Sequence, residues 1–433
     1  MRDRNSPFVE SRQSKAKVRA LLVVGIMAGA TLATVTLATA AYGAGGWYTP
    51  TKIDHHKLLT SVSCTSATFC TAVDALGNAL KYDGTSWSRP ASVNPDAARS
   101  PASTVSCPSA TFCAAVNHSG DAVTYDGTSW SASTRINDTA SLNSVSCPSA
   151  SFCVAVDASG DAQTYDGTSW SAPTQIDNSM AGPDLSSVSC PSASFCAAVD
   201  YSGNALTYDG TNWSAPIQVD HFPGGPNLNS VSCPSASFCI AVDNVGTGFT
   251  YNGTNWSAGT SIEVSQPPTE EAELNSVSCP STTFCAAVDG HGNGVTYNGT
   301  SWSSPSFIDR FGGLASVSCP SASFCAAVDS TGHVLAYDGL AITTTSLPGG
   351  TVNQQYSTTL SASGGNPPYT WKVAKGSSRL PRGLALKGST GVISGKPKAT
   401  GTTTITVEVT DTKAASTPHK RATNSIVLTI TIS

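Results

Sequence analysis

Fourteen cysteines fall into seven pairs of identical spacing, and no other feature of this 433-residue chain constrains its fold as tightly. Cys64 pairs with Cys70, Cys107 with Cys113, Cys147 with Cys153, Cys190 with Cys196, Cys233 with Cys239, Cys279 with Cys285 and Cys319 with Cys325, each as C-x5-C. Successive first cysteines are 43, 40, 43, 43, 46 and 40 residues apart, so one unit returns seven times. An even count in a chain with an export signal reads as disulfides, each stabilising its short loop by roughly 2 kcal/mol on the chain-entropy model. Zinc would want C-x2-C or C-x4-C pairs converging on one ion. No histidine stands at a fixed offset from these pairs, and no metal site or cofactor is expected.

Each unit carries four short β-type runs with turn residues between them. In the fourth copy they are SVSC ending at Cys190, FCAAVD ending at Asp200, ALTYDG ending at Gly210, and WSAPIQV from Trp213. A period of 40 to 50 residues with four strands means a propeller blade, and charged residues at 12% exclude a helical bundle or a coiled coil. Tryptophan then tests the count. Trp87, Trp130, Trp170, Trp213, Trp256 and Trp302 each follow a Tyr-Asp-Gly or Tyr-Asn-Gly turn, whereas the seventh copy ends at Tyr337-Asp338-Gly339-Leu340 without one. The missing strand stands at the front, where Trp47 to Asp54 fits Trp-Ser-x-Pro-x-x-Ile-Asp with Tyr48 in the serine's place. The expectation is an all-β seven-bladed β-propeller over residues 47–340, its last blade completed by the N-terminal segment, which removes the unpaired sheet edges of an open array.

Charge is segregated along the chain. Residues 1–46 hold six basic and two acidic groups, residues 47–340 seven and twenty-four, and residues 341–433 ten and two. A middle segment at −17 repels phosphate backbones, so nucleic acid is not an expected partner. The first nineteen residues form a basic n-region, followed by an uncharged apolar stretch over 20–41 with Ala38-Thr39-Ala40 fitting a cleavage site. Residues 1–41 are therefore a signal peptide or, if uncleaved, a membrane anchor at 20–41, with 42–46 a spacer; either way the rest lies secreted or at the cell surface.

The stretch Thr207-Tyr208-Asp209-Gly210-Thr211-Asn212-Trp213 resembles the Asp-box repeat of the bacterial neuraminidase type, S-x-D-x-G-x-x-W; the serine is absent and the glycine-to-tryptophan spacing holds. That resemblance implies the repeat chemistry of the ring and no catalysis. After a link at 341–345, residues 346–433 resemble the Ig-like, cadherin-like domain common in exported bacterial proteins. The residues that carry it are Leu347-Pro348-Gly349-Gly350, Pro367-Pro368-Tyr369-Thr370-Trp371, Leu380-Pro381-Arg382-Gly383-Leu384, Thr390-Gly391-Val392-Ile393-Ser394-Gly395 and Val407-Glu408-Val409-Thr410-Asp411. Independently, 403–409 and 425–432 alternate with period two, as sandwich strands do. Relatives of cadherin type imply calcium, which Glu408 and Asp411 alone do not carry over.

Repeat-equivalent aspartates at 74, 157, 200, 243, 289 and 329 end the second strands, and Asn117 takes the same place once. Turn formation by side-chain hydrogen bonding explains the recurrence better than calcium, which lacks its distal glutamate here. Length variation falls between each tryptophan strand and the next SVSC strand, on the same face as these turns, and loops on a rigid scaffold are where recognition resides. The ligand-binding candidates are accordingly His55, His56, His118, Tyr201, His221, Phe222, His291, Arg310, Phe311 and His333. No G-x-S-x-G, H-E-x-x-H or phosphate loop appears, and the ring holds only Arg89, Arg99, Arg135 and Arg310, so no catalytic residue is named. The sequence is read as an exported non-catalytic binding protein. Its loop face recognises a glycan or surface protein, and its basic C-terminal domain contacts anionic cell-wall polymers. A membrane-anchored structural surface protein and a secreted glycan hydrolase are the alternatives.

Overall fold

A computed structural model describes residues 46–48, 50–55, 58–93, 102–179, 182–221, 227–262, 273–363, 368–411 and 423–433. The expected leader or anchor at 1–41, the spacer at 42–45, and the candidates His56 and Phe222 lie outside the described residues.

The described strands of the repeats form seven antiparallel sheets. In the first, Leu59–Ser66 lies innermost, followed by Phe69–Asp74, Asn78–Tyr82 and Ala91–Ser92. On the inner strand Leu59, Val62 and Cys64 are buried in the seam between sheets, while the second strand is buried along nearly its whole length. The second strand reads as an almost unbroken run of small and β-branched residues for that reason.

Every expected cysteine pair is a disulfide joining the first two strands of its own sheet. Cys64 is bonded to Cys70, Cys107 to Cys113, Cys147 to Cys153 and Cys190 to Cys196. Cys233 is bonded to Cys239, Cys279 to Cys285 and Cys319 to Cys325. The two members of a pair differ in setting. Cys70, Cys113, Cys153, Cys196, Cys239, Cys285 and Cys325 lie on the second strands and are fully buried, whereas their inner-strand partners keep a small exposed edge. The sulfurs therefore serve as core packing as well as cross-links, and no thiol is left free to bind a ligand.

The fourth strand is shorter than its sequence suggests. Trp87 makes a single bridge to Tyr82, and regular pairing resumes only at Ala91–Ser92 opposite Asn78 and Ala79. Between them, the Ser88 hydroxyl takes the place of a ladder partner by accepting the Lys81 N–H at 2.9 Å, and Pro90 has no N–H to give. The Gly84 turn needs positive φ, 91°, and packs against Thr68, so a side chain there would be strained.

The last sheet is completed from the front of the chain. Gly46–Trp47 and Thr51–Lys52 both pair with His333–Asp338, with Trp47 opposite Tyr337 and Thr51 opposite Val334. Trp47 and Tyr337 sit 5.4 Å apart, as Tyr82 and Trp87 do inside the first sheet. Inner strands touch their neighbours in order, and Leu314–Ser321 touches Leu59–Ser66.

Serine hydroxyls latch the ring. Ser63 accepts the N–H of Cys107 in the next sheet at 2.9 Å; Ser106, Ser146, Ser189, Ser232 and Ser278 repeat the contact, and Ser318 closes the circle onto Cys64 at 2.9 Å. Neighbouring sheets are thus joined by polar bonds as well as by the apolar seams.

The C-terminal part is a β-sandwich of Tyr356–Thr359, Leu384–Lys387 and Val392–Gly395 against Thr370–Val373, Gly401–Thr410 and Thr423–Ile432. Threonines of the two long strands pair outward, Thr402 with Thr431 and Thr404 with Thr429, while Ile405, Val407, Leu428 and Ile430 face Trp371 in the core. The sandwich also takes in residues expected as a link. Ala341–Ile342 pairs with Ala362–Ser363, Leu340 and Ile342 are buried in the sandwich core, and Asn424 Nδ2 donates to the Leu340 carbonyl at 2.9 Å.

Candidate functional site

The face where the second strands end is built from a repeated turn. Asp74 Oδ1 accepts the N–H groups of Leu76 and Asn78 at 2.8 Å, and its Oδ2 accepts from the Asn78 carboxamide at 2.7 Å. Asp200, Asp289 and Asp329 use Oδ1 the same way in their sheets, and Asn117 uses its amide oxygen. These carboxylates are buried, and their oxygens are occupied by their own turns, which leaves them to hold structure rather than ligand.

A second set of buried acids, Asp54, Asp177, Asp220 and Asp309, ends the Ile-Asp or Val-Asp step of its repeat, and Asp177, Asp220 and Asp309 pack against the next sheet's turn. Asn137 Nδ2 donates to Asp157 Oδ2 at 2.6 Å. At the equivalent seams an aspartate stands in place of that asparagine, so Asp177 faces Asp200 and Asp309 faces Asp329. Burial, and then the facing carboxyl, pushes Asp200 and Asp309 up to about 6. Burial also opposes ionisation of Asp329, but hydrogen bonds from His333 and Thr331 outweigh it and hold that carboxyl below the ordinary range. Asp200 and Asp309 therefore keep their protons further up the acid range than an ordinary aspartate does.

Three of the ten candidates meet. The Phe311 ring stacks on the His333 imidazole, with centroids 4.4 Å apart and planes inclined at 11°, and the Arg310 guanidinium lies 4.9 Å from the Phe311 centroid. His333 is fixed from below: its Nδ1 lies 3.0 Å from Asp329 Oδ2 and 2.9 Å from the Thr331 hydroxyl, and its N–H donates to Asp329 Oδ1. Phe311 is fixed by its own N–H on Asp309 Oδ1 at 2.9 Å. Lys52, from the closing strand, donates to the Thr331 carbonyl. Two cations and an aromatic pair therefore share one spot on an acidic ring, with Phe311 44% exposed.

The remaining described candidates belong to separate turns. His55, His118 and His291 are exposed; the His118 carbonyl accepts from the Ser141 hydroxyl, and the His291 N–H donates to Asp289. Tyr201 is exposed beside Asp184, and His221 lines a groove on the rim of the fourth and fifth sheets. Among the described residues, no group of three or more histidine, cysteine or acidic side chains is arranged to hold a metal ion, and no helix is long and apolar enough to cross a membrane.

Residues 339–433 match the family described as Putative Ig domain. Solved structures similar to the repeat region include YCF48 bound to D1 peptide, 14% identical with a TM-score of 0.53, covering 67% of this chain and 96% of that one. The WD40 β-propeller domain of Doa1 is 10% identical with a TM-score of 0.53, covering 68% and 97%. The WD40 repeats of RRP9 are 9% identical with a TM-score of 0.58, covering 68% and 99%. No curated protein matches the chain. At these identities the likeness concerns fold alone, an all-β propeller; the C-terminal Ig-like domain rests on the family match.

Proposed function

We propose that the chain is an exported, non-catalytic binding protein whose loop face recognises a glycan or a surface protein through Arg310, Phe311 and His333. One observation carries the reading. On a face otherwise made of repeat-equivalent turns, only this spot among the described residues stacks an exposed aromatic ring on an imidazole beside a guanidinium, a combination that suits a hydroxyl- or carboxylate-bearing ligand. Seven disulfides support an oxidising compartment. A hydrolytic reading would look first to the two acids raised furthest, but Asp200 and Asp309 are 0% and 1% exposed and face other carboxyl groups rather than solvent.

The C-terminal domain, with ten basic and two acidic residues, would lie against anionic cell-wall polymers. Screening the full chain against glycan and cell-wall panels tests both halves. Phe311→Ala with His333→Ala should weaken loop-face binding at least tenfold, and raising salt should strip the chain from anionic walls. Unchanged binding by the double variant would remove the loop-face assignment, and salt-independent retention would remove the electrostatic one.

A further inference from the structure

The rim of the ring carries a groove of about 370 Å³ between the fourth and fifth sheets, at the small end of the range for small-ligand sites. Its apolar wall is Ile217, which is 59% exposed, together with Tyr251 and Trp256. Gln218, Asn255 and His221 border it. Among the described residues, no acidic residue, lysine or arginine lines it, although the surrounding ring holds twenty-four acids.

The sequence makes this seam unlike the others. Four residues after the repeat tryptophan the other copies carry Thr51, Ala91, Thr134, Thr174, Thr260 or Ser306, and only the fourth carries an isoleucine, Ile217. Immediately before the tryptophan most copies have serine, whereas the fourth and fifth have Asn212 and Asn255. Histidine follows the Ile/Val-Asp step at His221 and, in the closing segment, at His55. Only this seam combines Ile217, Asn255 and His221, so an apolar patch, a carboxamide and an imidazole meet where the repeat itself asks for small polar groups.

Trp256 packs against the core of the two sheets and against Tyr251 at 5.3 Å, so its position is set before any ligand arrives. Gln218 Nε2 donates to the Asp220 carbonyl at 3.2 Å, which orients the carboxamide and leaves its oxygen as an acceptor. Asn255 is exposed, with its backbone N–H held by Asn252 at 2.9 Å. Aromatic and aliphatic surface suits the C–H face of a pyranose, and carboxamides and imidazole suit its hydroxyls. With no lysine or arginine among the described lining residues, a carboxylate or sulfate finds no cation there, within a ring whose net charge already repels anions.

We infer that the groove bounded by Ile217, Tyr251, Trp256, Gln218, Asn255 and His221 is a second binding site, for a neutral oligosaccharide. It shares no residue with the Arg310, Phe311 and His333 cluster, so the two sites stand or fall separately.

Calorimetric titration of the full chain with maltotetraose, mannotetraose and chitotetraose tests it, with trigalacturonate as the charged control and hydrogen exchange to locate the contact. At least one neutral oligomer should bind, protecting amides within 214–219 and 251–258, while trigalacturonate does not. Ile217→Thr with Asn255→Ser installs residues that other copies carry, so the sheet should fold unchanged while affinity falls at least tenfold; Ser151→Ala, on an exposed hairpin of the third sheet, should leave it unaltered. Failure of all three oligomers to bind, equal binding of trigalacturonate, or full affinity in the repeat-like double variant would each overturn the assignment.

Discussion

Asp177 facing Asp200 and Asp309 facing Asp329 make the ring's stability depend on pH in an unusual direction. Asp200 and Asp309 sit at about 6, above the unfolded value, so the native state holds their protons more tightly than the unfolded chain. Their contribution is complete below about pH 4 and is lost as pH rises through about 6. Asp83, Asp126 and Asp166 act oppositely. Each accepts hydrogen bonds from its own turn, which lower it to about 2, so its contribution is present above about pH 4 and lost as pH falls toward 2. Thermal stability should therefore peak near about pH 4 to 5 and decline toward about pH 7. Asn137 shows the remedy, since its amide donates to Asp157 where an acid would need a proton. Asp309→Asn should raise stability at about pH 7 by about 1–2 kcal/mol, after allowance for solvent screening, and flatten the slope over the acid side. A melting series that gives both proteins the same slope would show that the pair holds no proton.

Within each sheet, what could be read from sequence is what closes locally. The Asp-x-x-Gly turn was legible because Asp74 bonds partners two and four residues ahead, and the disulfides because each pair, such as Cys64 with Cys70, spans one hairpin. The serines of SVSC were legible only as part of a β-type run. Their acceptor role joins Ser189 to Cys233 across 44 residues, and no pattern inside one strand announces a partner in the next. The same limit hid the acid pairs and the stacking of Phe311 on His333, which lie 22 positions apart. The outer strand was overestimated because Ser88 and Pro90 interrupt pairing in a run that alternates like a strand. Ser189→Ala tests the latch. It leaves the N–H of Cys233, a residue 6% exposed, without its acceptor, and should cost about 1–3 kcal/mol in urea unfolding. Ser151→Ala, at an exposed hairpin, should stay within about 0.5 kcal/mol. Equal effects would mean that the ladder adds nothing to the apolar seams.

At the scale of the whole molecule, the ring differs from a stack of repeats in that its first and last segments share one sheet. Six sheets are built from continuous chain; the seventh depends on Gly46–Trp47 and Thr51–Lys52 staying on His333–Asp338. Trp47 anchors them, packed with Phe284, Ile308 and Tyr337 in the seam between the sixth and seventh sheets. Trp130 holds the same place in the second sheet against Tyr125, but its strand is tethered on both sides. Trp47→Ala and Trp130→Ala therefore remove the same packing, about 2–4 kcal/mol for a partly buried tryptophan. Their consequences should diverge beyond that. Loss of Trp130 leaves its sheet covalently continuous, whereas loss of Trp47 loosens the closing segment and bares the edge of His333–Asp338, a template for pairing with a second molecule. Light scattering during chromatography should show Trp47→Ala self-associating with rising concentration while Trp130→Ala stays as the parent does. If both variants melt alike and keep the parent's mass, the closing segment is an appendage to a ring that the other six sheets already hold shut.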